Sequence, residues 1–229
     1  MEIKVIASGS SGNCYRISDG KTALLLECGI PIKKIKEGCD FDLVSIDGAL
    51  ISHEHGDHAK SVKELMQCGV NIYASRGTAE AVGISDSYRF VPVEHLVGVN
   101  IGTFGVIPFN VHHDAAEPVG YIVESRETKE KLLFMTDSYY TEFRFSGLTT
   151  IMIEANFSAE SMADASNDPR RHRLLRSHMS IENCIDFLKA NDLSKVQEIW
   201  LLHLSSSNGD AKGFKRRVQE ATGCPTFIA

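Results

Sequence analysis

The sequence predicts an α/β (α+β) protein, and three observations support this. Near the start, two strand patterns flank an Asp19-Gly20 turn, a strong signal for an antiparallel hairpin. Between residues 48 and 74 the chain runs through a strand, a polar turn, a helix and a strand, the βαβ pattern of layered α/β domains. Several later strands end in polar residues, and ligands of α/β proteins gather at such strand ends.

The elements of the first half are short and are separated by glycine or polar turns. Strands are predicted at 3–7, 14–17, 22–27, 48–51 and 71–74. The Gly/Ser-rich loop at 8–13 could hold an anion or a water molecule on its backbone N–H groups. Helical structure is predicted in part of 31–46, over a face formed by Ala59, Val62, Leu65 and Met66, and at 78–82.

The second half begins with several strands, and two helices alternate with its last two strands. Strands are predicted at 99–101, 106–111, 120–124, 131–135, 151–154, 196–204 and 226–228. The segment 157–179 has no regular spacing of apolar residues and is predicted to be irregular. Ser180 can cap a helix with an apolar face, and a last helix carries Phe214 and Val218 on one face. Because no linker divides the chain, residues 1–229 are expected to form a single domain.

Composition is that of a globular protein. The 229 residues are 43% hydrophobic and 24% charged. No apolar run approaches the roughly 18 residues of a membrane span, and the first residues do not resemble a signal peptide, so a cytoplasmic location is expected. The six cysteines are scattered and are expected to be reduced thiols, without a disulfide framework or a cysteine zinc site.

Charge is unevenly distributed. The net charge of −6 argues against attraction of nucleic acid to the whole surface. Basic residues nevertheless cluster at Arg170, Arg171, Arg173 and Arg176, and again at Lys212, Lys215, Arg216 and Arg217. Each cluster is either an ordinary solvated helix face or, if both flank a site, a local rim that holds phosphate.

The strongest chemical signal is the turn after the strand at 48–51. It reads Ser52-His-Glu-His-Gly-Asp-His58, with three histidines and an aspartate within six residues. Imidazole and carboxylate are common ligands of divalent metals, and His53 and His55 point the same way on extended chain. Gly56 allows the backbone to turn Asp57 and His58 towards a second ion. A solvated polar turn is the alternative, but a chance match of this density is rare.

Three other strand ends carry residues of the same kind. His112-His113 follows the strand at 106–111, Asp137 follows the strand at 131–135, and His203 stands near the end of the strand at 196–204. A lone aspartate at a strand end is usually a cap or a turn residue. The histidine cluster elsewhere in the chain favours a ligand role for Asp137 instead.

In this order, these motifs resemble the metallo-β-lactamase fold superfamily over nearly the whole chain. The resemblance implies a four-layer αββα sandwich with metals in a cleft at one edge of two sheets. The chain is most similar to the YycJ/WalJ-like branch, which is associated with 5′-to-3′ DNA exonuclease activity. The matching segments are 8–13, 52–58, 113–121, 136–138 and 202–205.

The resemblance also implies a set of metal ligands. These residues would hold two divalent ions. The first ion would be bound by His53, His55 and His113, and the second by Asp57, His58 and His203, while Asp137 would bridge both. His113 is preferred over His112 because the branch has its ligand directly before the aspartate. One departure is Asn156-Phe157, where bacterial members typically carry a histidine after the asparagine.

The expected chemistry is hydrolysis by a metal-bridging hydroxide, with no protein nucleophile. Asp57 would orient the hydroxide, and His178 is the candidate acid for the leaving oxygen, because Ser177-His-Met-Ser180 is similar to a stretch of the branch. A surface histidine in a helix-entry loop is the alternative for His178. Without a thiolate ligand, zinc, manganese and iron are all possible, with zinc or manganese favoured.

The functional prediction is a dinuclear metal-dependent hydrolase, specifically a phosphodiesterase or 5′-3′ exonuclease that acts on DNA. The alternative enzyme hydrolyses small cyclic phosphodiesters, lactones or thioesters, and a metal-binding module without catalysis is a further option. DNA is the expected partner; no membrane contact is expected, and no obligate protein partner can be inferred.

Overall fold

The computed structural model describes residues 1–164, 171–205 and 209–229. These residues form two compact units. Unit 1 comprises Met1–Asn110 and Ala115–Lys129, and unit 2 comprises Val111–Asp114 and Glu130–Ala229. The expectation of a single domain stays a prediction.

Unit 1 contains a six-stranded sheet whose strands follow sequence order. The first three strands are antiparallel, which confirms the predicted hairpin start, and the last three continue in parallel. The strands are β1 (Glu2–Ala7), β2 (Cys14–Ser18), β3 (Ala23–Leu26), β4 (Gly48–Leu50), β5 (Ile72–Ala74) and β6 (Phe90–Pro92). β7 (Val99–Ile101), β8 (Phe104–Asn110) and β9 (Val119–Ser125) form an antiparallel meander in the same unit.

Four helices belong to unit 1: α1 (Ile32–Gly38), α2 (Gly56–Ala59), α3 (Val62–Gln67) and α4 (Arg76–Val82). The helix predicted across Ala59 and Met66 is in fact split into α2 and α3. Ser61 explains the break, because its N–H donates to the carbonyl of Cys28 at 3.0 Å and not to the preceding helical turn. The apolar side chains of α3, including Leu65, pack into a buried cluster with Leu25, Ile51 and Ile72.

Unit 2 contains four parallel strands in the order β10 (Lys131–Met135), β11 (Thr150–Glu154), β12 (Glu198–Leu202) and β13 (Thr226–Ile228). Its two longer helices are α7 (Ile181–Lys189) and α8 (Ala211–Thr222). Ser180 caps α7 as predicted, because its side chain accepts a hydrogen bond from the N–H of Asn183. The buried strands and the apolar faces of α7 and α8 supply the core of this unit.

The prediction that 157–179 is irregular is wrong. The segment contains α5 (Ala159–Asp164) and α6 (Arg171–Ser177). Within the described residues α5 covers six residues and α6 seven, too few to show the repeating apolar face from which a helix is recognised in sequence.

The parallel pairing in unit 2 determines where its functional residues lie. Because β10, β11 and β12 run in the same direction, their carboxyl ends meet at one edge of the sheet. Asp137, Glu154 and His203 stand at or directly beyond these three ends. Among the described residues, no helix is both long enough and apolar enough to cross a membrane.

Candidate metal centre

The histidine turn of unit 1 follows β4, a strand that lies between β3 and β5 in the sheet. The side chains of His53 and His58 are almost fully buried, at 1% and 0% exposure, although the turn is polar. The hydroxyl of Ser52 lies 2.8 Å from His53 Nδ1, which leaves Nε2 on the opposite side of the ring. That Nε2 lies 3.1 Å from Nδ1 of His55.

The spacing of these two ring nitrogens fits a shared metal ion. Zinc–nitrogen bonds of about 2.0–2.1 Å at a tetrahedral angle place two ligand nitrogens roughly 3.3 Å apart. The His53 and His55 nitrogens are therefore close to the separation that a common ion requires. The ring centroids of His53 and His58 are 4.2 Å apart, so all three imidazoles of the turn converge.

The Gly/Ser loop at 8–13 supports this turn through Asn13. The backbone N–H of Asn13 donates to the carbonyl of Asp57 at 2.8 Å, and its side-chain amide lies 3.3 Å from Nε2 of His58. Its Oδ1 accepts hydrogen bonds from Gly9 N–H and the Tyr15 hydroxyl. The loop at 8–13 therefore holds the histidine turn in place, whether or not the loop also binds an anion.

A buried carboxylate that the sequence analysis did not single out lies beside His58. Glu27 follows β3 in a left-handed conformation with φ 63° and is fully buried. It accepts a hydrogen bond from Ser52 N–H at 3.1 Å, and its Oε2 lies 3.7 Å from His58 Nδ1. Burial raises the pKa of Glu27, although His58 and Ser52 act in the opposite direction. A carboxylate beside a ligand histidine orients the ring and increases its basicity.

Unit 2 brings together four candidate ligands: Asp137, Glu154, His178 and His203. Each offers one ligand atom, and these atoms lie within 4.8 Å of one another. Asp137 and His203 adopt positive φ angles of 31° and 50°, which is uncommon for residues other than glycine. Strained backbone is concentrated at functional sites, so these two strand ends are the expected place for chemistry.

Glu154 is the centre of this cluster, and the sequence analysis gave it no role. Its Oε1 accepts from His178 Nδ1 at 2.7 Å and lies 3.2 Å from His203 Nδ1. Its Oε2 accepts from the backbone N–H groups of Ser138 and Met179, both at 3.0 Å. Burial opposes ionisation of Glu154, but the neighbouring His178 outweighs it, and the pKa of Glu154 is lowered.

His178 lies inside the cluster and not on the open surface. Its side chain is 14% exposed, its ring stacks on that of His203 with centroids 5.4 Å apart, and its Nδ1 lies 3.7 Å from Asp137 Oδ2. Burial lowers the pKa of His178, but the charge and hydrogen bond of Glu154 outweigh burial, so the pKa is raised overall. This environment favours the protonated imidazolium, which an acid role requires.

The two neighbouring histidines of unit 2 differ in their surroundings. His113 is buried, its Nδ1 lies 2.7 Å from the carbonyl of Ser177, and its Nε2 lies 3.9 Å from Asp137 Oδ2. Burial lowers the pKa of His113 despite the nearby Asp137, which favours the neutral form that binds metals. The side chain of His112 is 44% exposed and bonds to Glu142 at 2.7 Å. The choice of His113 over His112 as a metal ligand stays a prediction.

The basic clusters are only partly described. Arg170 and the side chains of Arg171 and Arg173 lie outside the described residues, while Arg176 is exposed near the end of α6. In the second cluster, Arg217 pairs with a glutamate of α7 at 2.8 Å. Arg216 pairs with Glu220 on α8, and Lys215 lies over the ring of Phe227 in β13, which fits an ordinary solvated helix face.

A cavity of unit 1 lies away from this chemistry. It measures about 630 Å³ and is lined by α3, α4 and the segment that ends at Arg89. Arg89 directly precedes β6, whereas His53 lies beyond the carboxyl end of the parallel strand β4. The cavity therefore lies towards the opposite edge of the sheet from the histidine turn.

Comparisons with known proteins agree with this chemistry. The family model described as a beta-lactamase superfamily domain matches residues 36–203. The exodeoxyribonuclease WalJ of Streptococcus pneumoniae is 29% identical over 221 residues, covering 89% of this chain and 81% of the relative. The exodeoxyribonuclease YycJ of Bacillus anthracis is 26% identical over 243 residues, covering 86% and 89%.

A solved structure supports the same fold. The metallo-beta-lactamase fold protein YhfI of Bacillus subtilis aligns with a TM-score of 0.77 at 17% identity, covering 99% of this chain and 95% of that protein. The comparisons confirm the predicted fold class and the resemblance to the YycJ/WalJ-like branch.

Proposed function

The chain belongs to the beta-lactamase superfamily and is a metal-dependent hydrolase, and on this basis we propose that it is a phosphodiesterase that degrades DNA as a 5′-3′ exonuclease. One observation carries the proposal. Histidines and carboxylates that could hold a metal ion lie at the strand ends of a chain whose relatives, over most of their length, are named exodeoxyribonucleases.

The proposed ligands are those implied by the sequence motifs: His53, His55, Asp57, His58, His113, Asp137 and His203. The donor set fits divalent ions, because it combines imidazole nitrogen with carboxylate oxygen and contains no thiolate. Zinc and manganese are the proposed ions, with iron as a further candidate. When bound, two such ions lower the pKa of a water molecule and neutralise phosphate charge.

His178 is proposed as the acid that protonates the leaving oxygen. Its Nδ1–H donates to Glu154, so Nε2 is the nitrogen that can deliver a proton to a substrate. The stacked ring of His203 restricts its rotation. Asp57 is proposed to orient the attacking water, and its side chain is 26% exposed and so can reach that water.

The test is hydrolysis of end-labelled single- and double-stranded DNA by metal-reconstituted protein, beside an Asp57→Ala variant. We expect metal-dependent release of mononucleotides from the 5′ end, and no release by the variant. Cleavage of a small phosphodiester, lactone or thioester without cleavage of DNA would contradict the proposed substrate and favour the alternative hydrolase. Equal DNA cleavage by the variant would contradict the proposed site.

A second test concerns the basic cluster at 170–176. If these arginines hold DNA, charge reversal at Arg170, Arg171 and Arg173 abolishes cleavage of DNA and spares a small chromogenic phosphodiester. Equal losses on both substrates would count against a DNA-binding role. A cytoplasmic location, where DNA is present, is part of the same proposal.

A further inference from the structure

A cavity of about 270 Å³ lies in unit 2, between the segment 139–144 and helix α7. Its walls include Tyr139 and Tyr140, together called the tyrosine shelf here, with Met179 and Phe187 as apolar neighbours. Pockets for drug-sized ligands measure about 300–1,000 Å³, so this cavity suits a smaller group, such as a single ring system.

The cavity adjoins the candidate metal centre through the chain itself. Tyr139 is two residues beyond Asp137, and Met179 directly follows His178. Consecutive Cα atoms are about 3.8 Å apart, so these wall residues lie next to the strand-end cluster. Two walls of the cavity are therefore covalently continuous with the segments that carry the proposed bridging carboxylate and the proposed acid.

The tyrosine shelf is held in place by its backbone. Tyr139 N–H donates to the carbonyl of His112 at 3.1 Å, and the carbonyl of Tyr140 accepts from His112 N–H at 3.2 Å. The hydroxyl of Ser138 also donates to the carbonyl of Tyr140, at 2.7 Å. The tyrosine rings do not take part in these bonds, and they are 36% and 43% exposed. The rings lie beside the ring of His112, with centroids 5.5 and 6.3 Å from it, and their exposed parts are available to a ligand while their main chain is fixed.

The cavity wall carries one cationic and one anionic side chain, Arg144 and Asp186, besides neutral polar groups. Arg144 lines it, and its guanidinium donates to the carbonyls of Phe143 at 2.9 Å and Thr141 at 3.4 Å. Both bonds use Nη1, so the rest of the guanidinium can meet a phosphate. Asn183 and Asp186 provide hydrogen-bonding groups on the α7 side.

We propose that this cavity is a nucleotide subsite, in which the tyrosine shelf stacks on a base and Arg144 binds its phosphate. The proposal rests on the DNA hydrolase function and adds where the nucleotide next to the reacting phosphate lies. Aromatic stacking tolerates every base, because each has a π face, whereas the proposed partner of the guanidinium is the phosphate. The two parts of the subsite therefore recognise different parts of one nucleotide.

The test measures equilibrium binding of deoxyadenosine monophosphate and of deoxyribose 5-phosphate, which lacks the base, to the metal-reconstituted protein. We expect the double variant Tyr139→Ala/Tyr140→Ala to bind the nucleotide about tenfold more weakly, since the loss of stacking weakens binding by roughly fivefold or more per base. The same variant should bind deoxyribose 5-phosphate as the unaltered protein does. Replacement of both tyrosines by phenylalanine keeps the rings and should restore nucleotide affinity.

Two further variants complete the design. Arg144→Ala should weaken binding of both ligands by a similar factor and reduce the dependence on salt. Tyr88→Ala is the matched control, because Tyr88 is an 87% exposed tyrosine of unit 1, and it should change neither affinity. Equal affinities of the unaltered protein for the two ligands, or an equal effect of the shelf variant on both, would overturn the proposal.

Cleavage assays separate this proposal from the proposed function. The shelf variant should cleave ordinary DNA more slowly than the unaltered protein does. On an oligonucleotide with abasic positions at its 5′ end, the two proteins should cleave at the same rate. DNA cleavage with the same defect on abasic DNA would overturn the subsite and leave the exonuclease standing. Base-dependent nucleotide binding without DNA cleavage would retain the subsite and refute the exonuclease.

Discussion

Replacing Glu154 by glutamine should destabilise the metal-free protein strongly. The carboxylate oxygens lie within hydrogen-bonding distance of five groups, on Ser138, Met179, Asn156, His178 and His203. A glutamine side chain has one acceptor oxygen, so when that oxygen accepts from the two backbone N–H groups, its neutral amide nitrogen faces the two rings and their hydrogen bonds to a charged acceptor are lost. Hydrogen bonds to a charged group are worth about 1.5–3 kcal/mol each. Losing two of them, less the relief of burying a charge, gives an expected loss of about 2–4 kcal/mol.

The assay is urea denaturation of the metal-free protein at neutral pH, which gives the free energy of unfolding. Glu220→Gln is the matched control, because Glu220 is 70% exposed and makes only a surface pair with Arg216 at 3.9 Å. We expect the control to change stability by less than about 0.5 kcal/mol. A Glu154→Gln loss no larger than that of the control would refute the idea that this carboxylate organises the strand ends.

Three other predictions follow from individual contacts. Burial alone would raise the pKa of Asp19, but hydrogen bonds from two hydroxyls and two backbone N–H groups lower it from 3.8 to about 2. The ionised Asp19 carboxylate therefore stabilises the fold above about pH 4, and this stabilisation is lost as pH falls towards 2. In an acid titration of unfolding, the Asp19→Asn variant should lack this loss of stability between pH 4 and 2. An acid transition unchanged from that of the unaltered protein would contradict the prediction. Gly29→Ala should disrupt the histidine turn, because an added Cβ would lie 1.6 Å from the carbonyl oxygen of Asp57. A metal titration of this variant should therefore show weaker metal binding, and an unchanged metal affinity would contradict the prediction. His113→Ala should reduce the metal bound per chain, measured by elemental analysis, whereas His112→Ala should not; the reverse result would exchange their roles.

The histidine turn could be predicted from sequence because its information is local. A short apolar strand leads directly into closely spaced candidate ligands, and Gly56 marks the turn. Asp137 and His203 were also recognisable, since each stands at the end of an apolar run that had to be a buried strand. Parallel strand pairing then explains why polar strand ends in unit 2 lie together.

Glu27 and Glu154 could not be predicted in the same way. Each stands at the end of an apolar run, where a glutamate is usually solvated. Their burial depends on partners distant in sequence: His58 lies beside Glu27, and His178 and His203 lie beside Glu154. A buried carboxylate requires such partners, so its role becomes visible only when the tertiary contacts are known.

The most direct test of the central claim is a metal titration of the chelated protein in which bound metal and DNA hydrolysis are measured on the same samples. The account predicts no hydrolysis in the metal-free protein and full activity when about two divalent ions are bound per chain. The Asp57→Ala variant should remain inactive throughout the titration. Sustained hydrolysis of DNA by the fully chelated protein, or by this variant at the rate of the unaltered protein, would contradict the account.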